Sequence, residues 1–356
     1  MTLWRIARAG LTAVVVLATV LGCAPEPTAS TDTVIRSGLG ISGGHSWLQL
    51  SAEELDRQMG LVAATGATWV RIDIDWSVIE PVRGKQDWSA TDRAVRAARA
   101  HDLSVLAILT YAPAWAGPHG GVGGSKAAPQ PVLFGRFVGD AVEHYKNQIA
   151  HWEIWNEPNV TAFFAPRPDV ATYAHLLRQA AQAVRARQPH GQILVGGLAP
   201  AADNGQDISP TSFVEDLYEL GADADFDAIA VHPYSYPELP DSQSWYNAFG
   251  NLMRIRRIMD SHHDTTMQLW PTEFGAPTGT GARAVSEDVQ ARIIDQGLGL
   301  VTAIHDVGPV FVYSLVDAGP DSNDLEQNFG MLRRDYTEKP AVTVLRTHAE
   351  VLRAGR

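Results

Sequence analysis

The feature that most constrains this chain is a regular alternation of short apolar runs with longer amphipathic segments, sustained from residue 38 onward with no two apolar runs in succession. The runs are GLGIS (38–42), TWVRIDID (68–75), LSVLAILTY (103–111), IAHWEIWN (149–156), QILVGG (192–197), DAIAVHPY (227–234), MQLWPTE (267–273) and VFVYSLVD (310–317). Their length and their β-branched and aromatic content predict strands. The segments between them predict helices. The first opens at Ser51-Ala-Glu-Glu54, a capping box, carries Leu55, Met59 and Val62 on one face, and stops at Gly66. A second is predicted to be capped by Ser89, with Asp92 three residues on, and a third carries Phe134, Phe137, Val138, Ala141 and Tyr145. Further helices are expected over 169–187, 210–220, 241–260, 286–305 and 339–353. Strand–helix units without adjacent strands imply parallel pairing and right-handed crossovers. The closed solution is a single α/β domain, a (β/α)8 TIM barrel, with its site at the carboxyl ends of the strands. An open doubly wound sheet is the alternative, weakened because no glycine-rich phosphate turn follows the first strand.

The barrel is expected over residues 36–356. Ahead of it, Arg5 and Arg8 precede an apolar stretch from Leu11 to Leu21, the layout of a secretory signal and too short to span a bilayer. Val20-Leu21-Gly22-Cys23 resembles the lipobox of bacterial lipoproteins. That resemblance implies a signal peptide over 1–22, lipidation of Cys23 and attachment to the outside of the cell membrane, with simple secretion as the alternative. Cys23 is the only cysteine, so no intramolecular disulfide can form. Residues 23–35, polar and proline-containing, read as a tether. A formal net charge of −12 argues against nucleic acid and anionic lipid as partners but is neutral toward an uncharged substrate. A monomer is expected.

Strand parity then places the charges. In TWVRIDID, Val70, Ile72 and Ile74 should face the helices, which sends Arg71, Asp73 and Asp75 inward or toward the top. In WEIWNE the same rule turns Trp152 and Ile154 outward and Glu153, Trp155 and Glu157 inward. Glu273 ends the seventh run, and His232 and Tyr234 end the sixth. Glu157 and Glu273 should therefore face each other across the barrel mouth. Paired carboxylates in one cleft suit glycosidic cleavage, one protonating the departing oxygen and the other attacking the anomeric carbon. The competing reading is structural, with Arg71 buried in ion pairs to Glu153 or Glu273.

The strings IWNEPN, VHPY and WPTEFG, in this order, resemble strands four, six and seven of the clan A retaining glycoside hydrolases. RIDIDWSVIEPVRGKQDWSATDRAV, YAPAWA and VYSLVDAG…NFGMLRRDYTEKPA resemble other parts of the family 39 and family 5 members. The resemblance implies that Glu157 is the general acid/base and Glu273 the nucleophile. It implies that Asn156 hydrogen-bonds the sugar 2-hydroxyl, which requires the strand to kink because its parity is otherwise wrong. Arg71 and Tyr234 would hold Glu273 ionised and aimed, and His232 would line the same pocket. Where the family often carries a tryptophan late in the eighth strand, this chain offers Phe311 and Tyr313.

Sugars stack on aromatic rings, and Trp115 is the expected platform, ahead of Trp76, Trp155 and Trp270, each of which could instead fill the core. The glycine-rich stretch 116–131 reads as a rim, and Phe163 and Phe164 could extend the cleft. No His-Glu-x-x-His, cysteine cluster or Gly-x-Ser-x-Gly elbow occurs, so neither a metal, a cofactor nor an esterase is expected. The sequence thus points to a carbohydrate-cleaving hydrolase acting on an extracellular or envelope poly- or oligosaccharide. A glycan-binding surface protein without catalysis, and a transglycosylase using the same residues, are the alternatives.

Overall fold

Strands β1 (Leu39–Ser42), β2 (Trp69–Asp75), β3 (Ser104–Thr110), β4 (His151–Ile154), β5 (Gln192–Leu198), β6 (Ala228–Val231), β7 (Gln268–Pro271) and β8 (Val310–Tyr313) form one sheet in the order β7-β6-β5-β4-β3-β2-β1-β8. Each hydrogen-bonded pair of neighbours is parallel. The ends of the sheet meet through parallel bridges at Leu269–Val307 and Phe274–Val312. There the Phe274 N–H donates to the Phe311 carbonyl at 3.1 Å and the Tyr313 N–H to the Phe274 carbonyl at 2.8 Å. The architecture is the expected (β/α)8 barrel. This computed structural model describes residues 38–117, 124–243 and 247–354. The expected signal segment, Cys23 and the tether lie outside the described residues.

The intervening helices are α1 (Ala52–Ala64), α2 (Trp76–Ile79), α3 (Ser89–Ala100), α4 (Pro131–Tyr145), α5 (Val170–Arg187), α6 (Pro210–Glu219), α7 (Phe249–Ser261), α8 (Glu287–Val301) and α9 (Pro340–Ala354). Helix α1 starts as expected, with the Ser51 hydroxyl accepting from the Glu54 N–H. Ser89 is not a cap but the first helical residue of α3, and the Asp87 carboxylate accepts from its N–H at 2.9 Å. Helix α7 begins at Phe249 and not near 241. The Asn247 amide donates to the carbonyls of Leu239, Pro240 and Ser242, and those bonds hold residues 239–242 outside the helix. Helix α2 has no counterpart among the expected helices; Asp75 caps it through the N–H groups of Ser77 and Val78.

Two apolar layers follow from strand parity. Val70, Ile72 and Ile74 face outward and join Leu55, Met59 and Val62 in the layer between strands and helices. Inside the barrel, Leu106, Leu194, Trp270 and Phe311 pack with Trp69 into a plug. Apolar contacts thus occupy the lower barrel. Above them the interior turns polar, with Ser42, Arg71, Asp73, Thr110, Glu153 and Thr272 all buried. Polar groups in such a place must find partners or bind something.

Candidate active site

Arg71 organises the upper barrel. Its side chain is 1% exposed, and its five N–H groups are fully engaged. Nε and Nη2 form a fork onto Glu153 at 2.8 and 2.9 Å. Nη2 also reaches the Asn156 Oδ1 at 3.0 Å, and Nη1 contacts the Glu273 carboxylate and the Ser42 hydroxyl. Glu153 takes two more donors, the Gly197 N–H at 2.8 Å and the Thr272 hydroxyl at 3.5 Å. The structural ion pair and the site are therefore one network. Arg71 neutralises a carboxylate below the cavity and a second one within it.

Helical and strand geometry both fail just after Ile154. Trp155 and Glu157 adopt φ of +71° and +47°. For non-glycine residues such backbone is costly, of order 1–3 kcal/mol each, and persists only where surroundings fix it. Here the Trp155 N–H is held by the Leu109 carbonyl at 2.9 Å and the Glu157 N–H by the Gly197 carbonyl at 3.1 Å. The kink corrects the parity reading. Trp155 turns outward among Phe134 and Phe164 and donates its indole N–H to the Phe163 carbonyl. Asn156 and Glu157 turn inward. The Gly196-Gly197 pair of β5 makes room: a Cβ on Gly196 would lie 2.3 Å from the Trp155 carbonyl oxygen, and one on Gly197 would lie 2.1 Å from the His232 ring.

Glu157 and Glu273 face each other. An oxygen of each, together with a His232 nitrogen, lies within a 4.8 Å span. His232 Nδ1 donates to Glu157 at 2.8 Å and approaches Glu273 at 3.7 Å. Tyr234 donates its hydroxyl to Glu273 at 3.0 Å and Ser42 donates to it at 3.2 Å. Burial alone would raise the Glu273 carboxyl. The positive charges of His232 and Arg71, with the Tyr234 and Ser42 hydrogen bonds, outweigh it and hold Glu273 below the usual carboxylate range. Burial likewise opposes a charged His232, but Glu273 and the hydrogen-bonded Glu157 raise it. Tyr234 stays a neutral donor, pushed far up by burial and by Glu273.

A cavity of about 800 Å³ opens above this pair, lined by Arg71, Asn156, Glu157, Tyr234, Glu273 and Tyr313 among others. His232 does not line it. The ring is fully buried against Gly197 and acts on both carboxylates from behind. Trp115 does not line it either: its indole donates to the Glu80 carbonyl and its face is packed edge-on by Trp76. Trp76, Trp155 and Trp270 are buried core residues. Aromatic surface is supplied instead by Tyr111, Phe163, Tyr236 and Phe329. Ser42 escaped sequence reasoning, although its place opposite Arg71 in the β1–β2 register was the available signal.

Chemically the site holds an ionised carboxylate fixed by three donors and a second carboxylate carrying one hydrogen bond from an imidazole. That asymmetry suits one nucleophile and one proton carrier acting on a single bond. Asn156, whose Oδ1 is taken by Arg71, keeps its amide N–H groups for the cavity. Among the described residues, Glu157, His232 and Glu273 are also the group compact enough to ligate a metal. The Arg71 guanidinium against Glu273 opposes a further cation there.

No protein-family model matches the chain. Its fold is similar to that of a family 39 glycoside hydrolase from Bacteroides cellulosilyticus WH2, with a TM-score of 0.72 and 22% identity over 90% of this chain and 64% of that one. A monomeric β-xylosidase from Caulobacter crescentus CB15 superposes with a TM-score of 0.70 and 19% identity, over 87% of this chain and 67% of that one. A family 5 (subfamily 18) protein from Streptomyces cattleya, solved with GlcNAc, gives 0.67 and 18% identity over 90% and 81%. In sequence, a chloroplastic β-glucosidase-like protein of Oryza sativa subsp. japonica is 28% identical over 116 residues, 30% of this chain and 18% of that protein. The chain therefore spans less than two thirds of the Bacteroides protein and under a fifth of the rice one. These structural neighbours share the barrel described above.

Proposed function

We propose that this protein is a retaining glycoside hydrolase that cleaves O-glycosidic bonds by double displacement, with Glu273 as nucleophile and Glu157 as general acid and then base. The observation that carries the reading is the spacing and asymmetry of the two carboxylates. Their oxygens approach within 4.8 Å, near the roughly 5–5.5 Å of retaining sites and well short of the roughly 6.5–9.5 Å that leaves room for a water in inverting ones. Glu273 is held ionised and aimed, as attack on an anomeric carbon requires. Glu157 carries the proton to the departing oxygen and takes one from water in the second step. His232 touches both and keeps them apart in role. Asn156 donates to the sugar 2-hydroxyl, a contact that strengthens as charge develops.

The substrate under this reading is an oligo- or polysaccharide outside the cytoplasm, and Cys23 anchors the chain by lipid to the outer face of the cell membrane. A screen of aryl glycosides with proton NMR of the released anomer tests the chemistry. Retained configuration, trapping of Glu273 by a 2-deoxy-2-fluoro glycoside, and turnover abolished in Glu273→Ala are expected. Azide restoring a product of retained configuration to that variant would overturn the assignment. Acceptor-dependent transfer products would shift the reading to transglycosylation. Detergent-phase partition lost in Cys23→Ala tests the anchor.

A further inference from the structure

Among the described residues, every acid carried by the strands or strand ends of the upper barrel other than Asp73 has its donors. Glu153 holds Arg71 and the Gly197 N–H, Glu273 holds Arg71, Tyr234 and Ser42, Glu157 holds His232, and Asp75 caps α2. Asp73 is different. It sits in the middle of β2, two residues beyond Arg71 on the same interior face, is 6% exposed, and lines the cavity. No N–H or O–H of the described residues donates to its carboxylate. Arg71 cannot, because its five hydrogens are committed elsewhere. His45, on the adjacent wall, turns its Nδ1 to Asp75 at 3.5 Å. Burial pushes the Asp73 carboxyl up to about 7, against the pull of Arg71 and with help from Asp75 and Glu273.

A buried carboxylate without donors is expensive for the fold alone, and a leucine or asparagine would serve packing better. Asp73 lines the cavity, where a bound molecule can supply the missing donors. Resting on the glycosidase reading, we infer that Asp73 is a specificity-determining residue that accepts from a vicinal pair of ring hydroxyls beyond C2 on the sugar whose anomeric carbon faces Glu273. Under that reading the sugar's contacts are divided among the strands. The carboxylates on β4 and β7 take the reacting end, Asn156 takes the 2-hydroxyl, and β2 stands on the wall between them, reached through β3 on one side and through β1 and β8 on the other. A carboxylate spans two neighbouring O–H donors as it spans an arginine fork. When ionised it also repels a carboxylate or sulfate at the same ring positions, so the substrate class is a neutral sugar with both hydroxyls free.

The test uses 4-nitrophenyl β-D-xyloside and β-D-glucoside with their 3-deoxy and 4-deoxy counterparts, on wild type, Asp73→Asn and Asp73→Ala. In wild type, loss of a hydroxyl read by Asp73 should lower kcat/KM by about 10- to 100-fold, the range for a hydrogen bond to a charged group. In Asp73→Ala the parent substrate should fall by a similar factor while the further penalty for the deoxy sugar shrinks below about 3-fold. Asp73→Asn, which keeps shape and one acceptor, should fall between. A deoxy penalty of unchanged size in both variants overturns the inference and leaves Asp73 a structural residue. Calorimetry with the methyl glycosides and their deoxy forms reads the same contrast without turnover. If wild type binds these sugars with that contrast yet cleaves none, the glycosidase reading fails while the Asp73 contact stands. If it binds no neutral glycoside, the Asp73 inference fails, and cleavage of charged sugars remains open to the Glu273 trapping experiment.

Discussion

Replacing Arg71 by methionine should be the most damaging single change in the upper barrel, and its size can be worked out. The change leaves Glu153, which is 0% exposed, with only the Gly197 N–H and the long Thr272 contact in place of a two-pronged cation. Removing one partner of a buried ion pair costs about 3–5 kcal/mol, mostly from the stranded charge. With unfolding entropy of about 2.1 cal/mol/K per residue near 60 °C, that corresponds to a Tm lower by roughly 4–8 °C for a barrel of this size. Glu153→Gln should cost less, about 1–3 kcal/mol, because Arg71 keeps Glu273 and the amide still accepts. The double variant Arg71→Met/Glu153→Gln removes both charges and should recover much of the Arg71→Met loss. Calorimetry and urea unfolding of the four proteins give the coupling directly. If the two losses simply add within about 0.5 kcal/mol, Arg71 and Glu153 are not an energetic unit and the account of the network is wrong.

Two further outcomes follow from the same contacts. Glu273 has a lowered pKa, so its ionised form persists as pH falls and is lost only on passing through that low value. Tyr234→Phe removes a donor to the charged form and should raise it, moving the acid limb of kcat/KM up by about one pH unit; an unmoved limb would refute the role given to Tyr234. Gly197→Ala puts a methyl where the His232 ring lies and should push the imidazole off Glu157, lowering kcat at least about 10-fold with substrate affinity nearly intact; an active Gly197→Ala enzyme would remove His232 from the mechanism.

The barrel was legible because strand-length apolar runs and longer amphipathic segments alternate along the chain, and because parallel pairing leaves few closed topologies. Arg71 was legible from strand parity, and Glu157 and Glu273 for a related reason: a charge just past the carboxyl end of a buried strand has only the mouth to face. Parity failed where the strand itself stops being regular. Trp155 and Asn156 exchange sides because φ turns positive, and the signal for that kink lay in another strand, in the two small residues at 196–197. Trp115 was misplaced for a different reason. It follows strand three in a loop whose path is set by a hydrogen bond to Glu80, which no local pattern encodes. Asp73 looked like one more inward charge, and only the full assignment of the guanidinium hydrogens leaves it without a protein donor.

The joint between β7 and β8 is made by isolated bridges, and Phe274, the residue after Glu273, supplies two of its hydrogen bonds. Breathing at that joint would displace the Glu273 carboxylate while the plug beneath and the outer layer remain packed. If the proposed activity depends on Glu273, its loss on heating should then run ahead of loss of ellipticity, the mouth of the barrel giving way before the fold does.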